Sequence, residues 1–271
     1  MAFAICKLYL LVLERLFCSM RFFAKPGVYE PCGMYSVYHF LFLLLAACII
    51  GFGLWYFRRA DEKKIHRFTM VITALAWVAE IVKIIFNVWI VGARSYNEYI
   101  PLYFCSMILY AGVCASFGRG RLKAAGESFL ATGGIVGGAV FLVMPTTTLT
   151  MYAPDHFLVW HSILLHTAMV LIGLIYLARG YYVPKWKNLA YYFVFVSIVC
   201  FTAILFNEIT GANLMFVSRD FPGTPITILY NLVPRWLFTV IMWVGQATVP
   251  YLAVTGVYTL VVKGLQKRKK Q

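Results

Sequence analysis

The sequence predicts an all-α membrane protein, a bundle of about seven transmembrane helices preceded by an N-terminal interfacial helix. Hydrophobic residues make up 62% of the 271-residue chain and charged residues only 13%, whereas soluble domains are roughly half apolar and a quarter charged. The apolar residues form long runs, and the 24 Lys and Arg residues, which outnumber 10 Asp and Glu, cluster between those runs. These three observations exclude a soluble domain, a disordered chain and a nucleic-acid-binding module.

The apolar runs define the predicted spans, because a helix needs roughly 20 mostly apolar residues to cross a bilayer. The N-terminal amphipathic segment is residues 1–36. Its residues 1–23 form an apolar stretch in which charges at positions 7, 14, 15 and 21 favour an interfacial helix over an eighth span. The seven-helix domain is residues 37–262, and residues 263–271 form a basic tail. Its spans are approximately 37–57, 67–91, 101–117, 127–143, 157–178, 189–207 and 236–262.

The distribution of positive charge predicts the orientation of the chain. The loops near 58–67, 118–126 and 179–188, together with the tail, carry 16 Lys and Arg residues, and the segments on the alternate side carry 7. The positive-inside rule therefore places the C-terminus in the cytoplasm and the N-terminus outside. Within the fourth span, Gly133-Gly134 and Gly137-Gly138 form two overlapping GxxxG patterns, which predict close helix packing.

Ionisable residues inside spans are costly and are therefore candidates for function. Glu80 and Lys83 lie three residues apart in the second span, on one helical face. One interpretation is a structural ion pair, and the other is that both line a polar cavity and bind a substrate head group.

The fifth span begins with three histidines, His156, His161 and His166. Residues five apart on a helix differ in direction by about 140°, so this spacing does not predict a metal site, and no cofactor is expected. His156 is expected at the membrane interface, and either His161 or His166 is a candidate general base.

The outer half of the predicted bundle gathers the remaining polar candidates. Pro101 is expected to start the third helix, which places Cys105 about one turn below the outer surface. Tyr103 stands beside it, and Asn207 and Asn213 lie at the outer end of the sixth span. Because the inner half has almost no polar residues, a single cavity that opens outward is expected.

Four blocks together resemble the YwaF-like bacterial integral membrane proteins, a family related to the eukaryotic transmembrane protein 164. They are Trp77-Val-Ala-Glu80, Ile100-Pro-Leu-Tyr-Phe-Cys-Ser106, His161-Ser-Ile-Leu-Leu-His166 and Asn213-Leu-Met-Phe216. The resemblance implies a lipid acyltransferase of the bacterial plasma membrane, with Cys105 as nucleophile and His166 as its base. Tyr103 and Leu214 depart from the family pattern, so the identity of the substrate does not transfer.

Two classes of function are consistent with these residues. The enzyme class is acyl transfer between membrane phospholipids or other acyl lipids through a Cys105 thioester, with Asn207 or Tyr103 stabilising the oxyanion. A lipid hydrolase is its variant, with water as the acceptor. The other class is a non-catalytic lipid-binding, sensing or transport protein with the same outward cavity. The sequence does not determine the oligomeric state.

Overall fold

The protein is all-helical across residues 21–268, the part of the chain that the computed structural model describes, with side chains through residue 262. Most of the predicted interfacial helix, residues 1–20, and the side chains of the basic tail lie outside this part. We number the helices α1 to α9. They are Val37–Phe57 (α1), Glu62–Ile85 (α2), Met107–Phe117 (α3), Gly120–Ala131 (α4), Gly133–Val143 (α5), Phe157–Ala178 (α6), Leu189–Thr210 (α7), Ile226–Leu232 (α8) and Arg235–Arg268 (α9).

Six spans in the described part are long and apolar enough to cross a membrane. They are α1, α2 with its π-helical continuation Phe86–Val91, the joined α4 and α5, α6, α7 and α9. Side-chain caps help to begin the first two, since Ser36 accepts a hydrogen bond from the His39 amide and Asp61 accepts one from the Lys64 amide. An integral membrane protein of about seven spans is therefore confirmed, with one predicted span that differs from the rest.

That exception is the third predicted span, in which helix forms over only 11 residues, Met107–Phe117. At 1.5 Å per residue this helix is roughly 16 Å long, about half the thickness of a bilayer core. The prediction that Pro101 starts the helix is wrong, because residues 101–106 are not helical. The carbonyl of Pro101 accepts a hydrogen bond from the Tyr110 hydroxyl, and that of Leu102 accepts one from the Met215 amide. Non-helical backbone at this depth is tolerated because protein covers it.

The glycines of the fourth span allow α5 to lie directly against its neighbours. A Cβ atom at Gly138 would overlap the main-chain oxygen of His166 on α6, and one at Gly137 would press on the Phe104 ring. The close packing predicted from the GxxxG patterns is therefore confirmed. The same close packing brings α5 against the two segments that carry Cys105 and His166.

Residues 21–36 fold over the loop that precedes α6 and close one end of the bundle. The amides of Cys32 and Gly33 donate to the carbonyls of Tyr152 and Leu149, and Arg21 forms an ion pair with Asp155. His156 joins the two segments, since its Nε2 bonds the Ala24 carbonyl at 3.0 Å while its Nδ1 accepts from the Leu158 amide. Burial lowers the pKa of this imidazole below its usual 6.5.

Candidate functional site

The charged residues of α2 meet α6 in the interior of the bundle. Glu80 is 1% exposed, and its two carboxylate oxygens face different partners. Lys83 Nζ lies 2.6 Å from Oε1, and His161 Nε2 lies 3.5 Å from Oε2. Lys83 keeps 22% of its side chain exposed, so its ammonium group lies at the edge of this cluster. The predicted pairing of Glu80 with Lys83 is confirmed, and the structure adds His161 to it.

The ring of His166 is held in one orientation and one tautomer. Its Nδ1 lies 2.6 Å from the carbonyl oxygen of Ser162, and a carbonyl only accepts, so Nδ1 carries the proton. The ring stacks on Phe141 of α5, with 3.7 Å between centroids. Nε2 is buried without a hydrogen-bond partner among the described residues. Nε2 therefore carries a free lone pair, which is the state that a general base requires.

Cys105 lies on the non-helical segment immediately before α3, not inside a helix. Its thiol is 3.9 Å from the carbonyl oxygen of Gly137, a long, weak contact. The main-chain amides of residues 103–106 make no hydrogen bond to any residue that the structure describes. Cys105 therefore lies on a segment with unpaired N–H groups immediately before the start of a helix, where negative charge is stabilised.

One face of α5 brings Cys105 and His166 into the same region. The thiol contacts Gly137 and the imidazole contacts Phe141, and these two positions lie one turn apart on the helix. Glu80, Lys83 and His161 thus form one polar cluster between α2 and α6, and Cys105 and His166 contact neighbouring turns of α5.

A comparison with protein families matches residues 34–256 to the TMEM164 family. The chain belongs to this family. The match covers most of the chain and contains every candidate residue named above, and it confirms the predicted relation to transmembrane protein 164. Comparisons with curated proteins and with solved structures give no match.

In this TMEM164 family member, Tyr103, Asn207 and Asn213 lie in a loop network beside the cluster. The Asn207 side chain donates to the Leu214 carbonyl and to the Ser218 hydroxyl, and it accepts from the Leu214 amide. The Tyr103 hydroxyl donates to the Asn97 carbonyl. These polar groups already have protein partners, so substrate binding or oxyanion stabilisation by these residues stays a prediction.

The loop that Asn207 and Asn213 hold has an uncommon backbone conformation. Met215 and Phe216 both have positive φ, 57° and 51°, which costs free energy in residues other than glycine. The Met215 amide donates to the Leu102 carbonyl, and its own carbonyl accepts from Gln246 of α9. Met215 of the strained loop is therefore hydrogen-bonded both to the segment that carries Cys105 and to α9.

The predicted outward cavity stays a prediction: in the described part of the chain we identify two recesses, and neither is lined by Cys105 or His166. One is a small recess beside His156, and the other lies between the ends of α1 and α6. The three groups that sequence reasoning missed are the Ser162 carbonyl, the Phe141 ring and the unpaired amides of residues 103–106. Only the glycine pattern in α5 signalled that another segment approaches closely there.

Proposed function

We propose that this TMEM164 family member is a membrane-bound lipid acyltransferase in which Cys105 is the nucleophile and His166 its general base. The observation that carries the proposal is the fixed tautomer of His166. Its Nδ1–H is committed to the Ser162 carbonyl, and its bare Nε2 is buried one helical turn from the position where the Cys105 thiol contacts α5. Rotation of the thiol away from the Gly137 carbonyl toward this nitrogen completes a Cys–His pair.

The proposed reaction has two halves. His166 Nε2 takes the thiol proton, and the Cys105 sulfur attacks the ester carbonyl of a donor phospholipid. The ester C–O bond breaks, the donor alkoxide leaves with the proton from His166, and an acyl-thioester remains. A hydroxyl group of a second lipid then gives its proton to His166 and attacks the thioester, which releases the thiolate to recover its proton.

Each half passes through a tetrahedral oxyanion, which needs hydrogen-bond donors fixed in advance. The unpaired amides at residues 103–106 are the donors closest in sequence to the sulfur, and the amide of a nucleophile itself serves this purpose in other acyl-transfer enzymes. We therefore assign oxyanion stabilisation to main-chain groups of this segment. The Asn207 side chain and the Tyr103 hydroxyl are already used by the fold.

The charge cluster suits a phospholipid head group. Lys83 is the partly exposed member, and its ammonium group lies at the edge of the cluster. We propose that its ammonium binds the phosphate of the donor lipid, while Glu80 holds Lys83 and His161 in place. A phosphate bound there sets the distance between the head group and the ester that reacts.

The test is trapping of the intermediate. Purified protein is incubated with a phospholipid donor and its intact mass is recorded before and after hydroxylamine treatment. We expect one acyl adduct that hydroxylamine removes, absent in Cys105→Ala and reduced roughly 100-fold or more in rate in His166→Ala. Cys114→Ala is the matched control, since Cys114 is a partly exposed cysteine of α3, the helix that follows Cys105, and it should leave the adduct unchanged.

The same preparation separates the alternatives. Transfer of a labelled acyl chain to an added lysolipid supports the transferase, whereas release of free fatty acid alone indicates a hydrolase. If Cys105→Ala retains full acyl transfer, the covalent mechanism is wrong. Bound lipid without adduct or turnover in the unmodified protein would favour a non-catalytic lipid-binding protein.

A further inference from the structure

A cleft lies between the last turns of α1 and α6, at the opposite end of the bundle from the segment 21–36. Its volume is about 220 Å³. Its walls are apolar, and its mouth carries two arginines. The lining residues are Leu54, Phe57, Arg58, Ile175, Ala178 and Arg179. On α6, Arg179 follows His166 by 13 residues, which is roughly 20 Å at 1.5 Å per residue, so this cleft is separate from the Cys–His pair.

The two arginines at the mouth have no acidic partner. Neither forms an ion pair with a carboxylate in the part of the chain that the structure describes, and both are exposed. The Arg179 guanidinium is held in place by the main-chain carbonyls of Arg58, at 2.7 Å, and Ala60, at 3.3 Å. These bonds use Nε and Nη1, which leaves Nη2 unused. The Arg58 guanidinium lies over the Trp55 ring, 5.1 Å from its centroid.

The arrangement matches one class of molecule. The arginines stand at the helix ends, where a membrane-spanning segment meets the polar layer of the bilayer, and the apolar walls lie one turn deeper. A guanidinium binds a phosphate through charge-assisted hydrogen bonds, and one that is already fixed loses little freedom when it does so. The cleft is too small for a whole lipid, so it fits the glycerol region and the beginning of one acyl chain.

From the cleft, its unpaired arginines and the adjoining basic loop, we infer a binding site for an anionic phospholipid, distinct from the catalytic cluster. The loop between α1 and α2 adds Arg59 to the positive field, and the first turn of α2 adds Lys63 and Lys64; together they outnumber the neighbouring Asp61 and Glu62. Charge distribution predicts that this end faces the cytoplasm, where anionic lipids attract basic residues. The inference does not depend on the proposed function, because none of its residues belongs to the Cys–His cluster.

The experiment is native mass spectrometry of the purified full chain, titrated with phosphatidylglycerol and with phosphatidylcholine of the same acyl chains. We expect the first phosphatidylglycerol to bind roughly tenfold more tightly, because both lipids carry the phosphate but only phosphatidylcholine adds a choline cation, which the two arginines repel. Arg58→Gln should abolish the preference without affecting folding, because the hydrogen bonds that Arg58 makes in the described structure come from its main chain and its side chain is exposed. Arg121→Gln is the matched control, as an exposed arginine outside the cleft, and should keep the preference.

A second variant tests the cleft itself. Ala178→Phe places a ring in the cleft and keeps both arginines, so it should abolish the preference as well. Retention of the preference in Ala178→Phe would reduce the site to a non-specific basic surface and overturn the proposal, as would retention in Arg58→Gln. Glycerol 3-phosphate, which carries the phosphate without acyl chains, should compete only weakly. Equal competition would identify a simple anion site and overturn the assignment to a lipid.

Discussion

The buried ion pair between Glu80 and Lys83 gives the sharpest test of how this bundle tolerates charge. The two side chains are unequally covered, with Glu80 at 1% exposed and Lys83 at 22%. Removing one partner of a buried pair leaves the other charge without compensation, which costs about 3–5 kcal/mol when that charge is fully buried. Lys83→Met leaves the more deeply buried charge with only the His161 imidazole beside it and should cost about this amount. Glu80→Gln leaves the partly exposed ammonium and should cost less, about 2 kcal/mol.

The double variant separates a true pair from two independent residues. Glu80→Gln with Lys83→Met replaces two charges by neutral side chains of similar volume, an exchange that is often neutral for stability. It should therefore be more stable than Lys83→Met alone by at least about 2 kcal/mol. Thermal unfolding in detergent measures the order of stability of these variants. At about 2–4 °C per kcal/mol for chains near this size, Lys83→Met should unfold roughly 6–20 °C below the unmodified protein.

The ion pair of Glu208 with Arg235 is the matched control, because both side chains are more than half exposed. Arg235→Gln should cost less than about 1 kcal/mol. Simple addition of the two single effects in the double variant would refute the pairing of Glu80 with Lys83. Equal losses in the two single variants would refute the argument from burial.

The double variant also tests the proposed role of Lys83. It should be folded yet inactive in acyl transfer, because the charge that holds the lipid phosphate is gone. A double variant with full activity would return Glu80 and Lys83 to a purely structural role. That result would overturn phosphate binding by Lys83 and leave the Cys105 thioester untouched, so the two proposals are tested independently.

Three further predictions concern packing, pH and orientation. Gly138→Ala should lower the midpoint of thermal unfolding, because a methyl group there overlaps the α6 backbone. Gly134→Ala should change the midpoint little, because the added atom meets only ordinary contacts. Equal effects of the two variants would contradict the close packing of α5 against α6. Because burial lowers the pKa of His156 in the folded state, its contribution to stability is present above about pH 6.5 and is lost as the pH falls below it. Hydrogen exchange of residues 21–36, corrected for intrinsic rates, should therefore quicken on acidification, and His156→Gln should weaken that dependence; an unchanged dependence would exclude His156 as its source. A Thr150→Cys variant, at an exposed loop position, should react in intact cells with a maleimide that does not cross membranes; labelling only after permeabilisation would reverse the predicted orientation.

Much of the site was visible in the sequence because charged and polar residues are rare in membrane spans. Glu80 and Lys83 stood out for that reason, and their spacing of three residues already fixed them on one helical face. The family motifs marked Cys105 and His166. The glycines of the fourth span marked a close helix contact, although not which residues it would bring together.

The bundle of apolar helices was determined by the sequence alone, because length and hydrophobicity suffice to specify a span when water is absent. Tertiary structure decided the rest. The segment before α3 fails to become helix because its carbonyls are bonded by Tyr110 and Met215, which are 9 and 113 residues away in the chain. The stacking of His166 on Phe141 depends on how α5 and α6 pack, and the addition of His161 to Glu80 depends on how α2 and α6 pack. Such contacts between distant residues leave no periodic pattern in the sequence, so only the folded chain shows them.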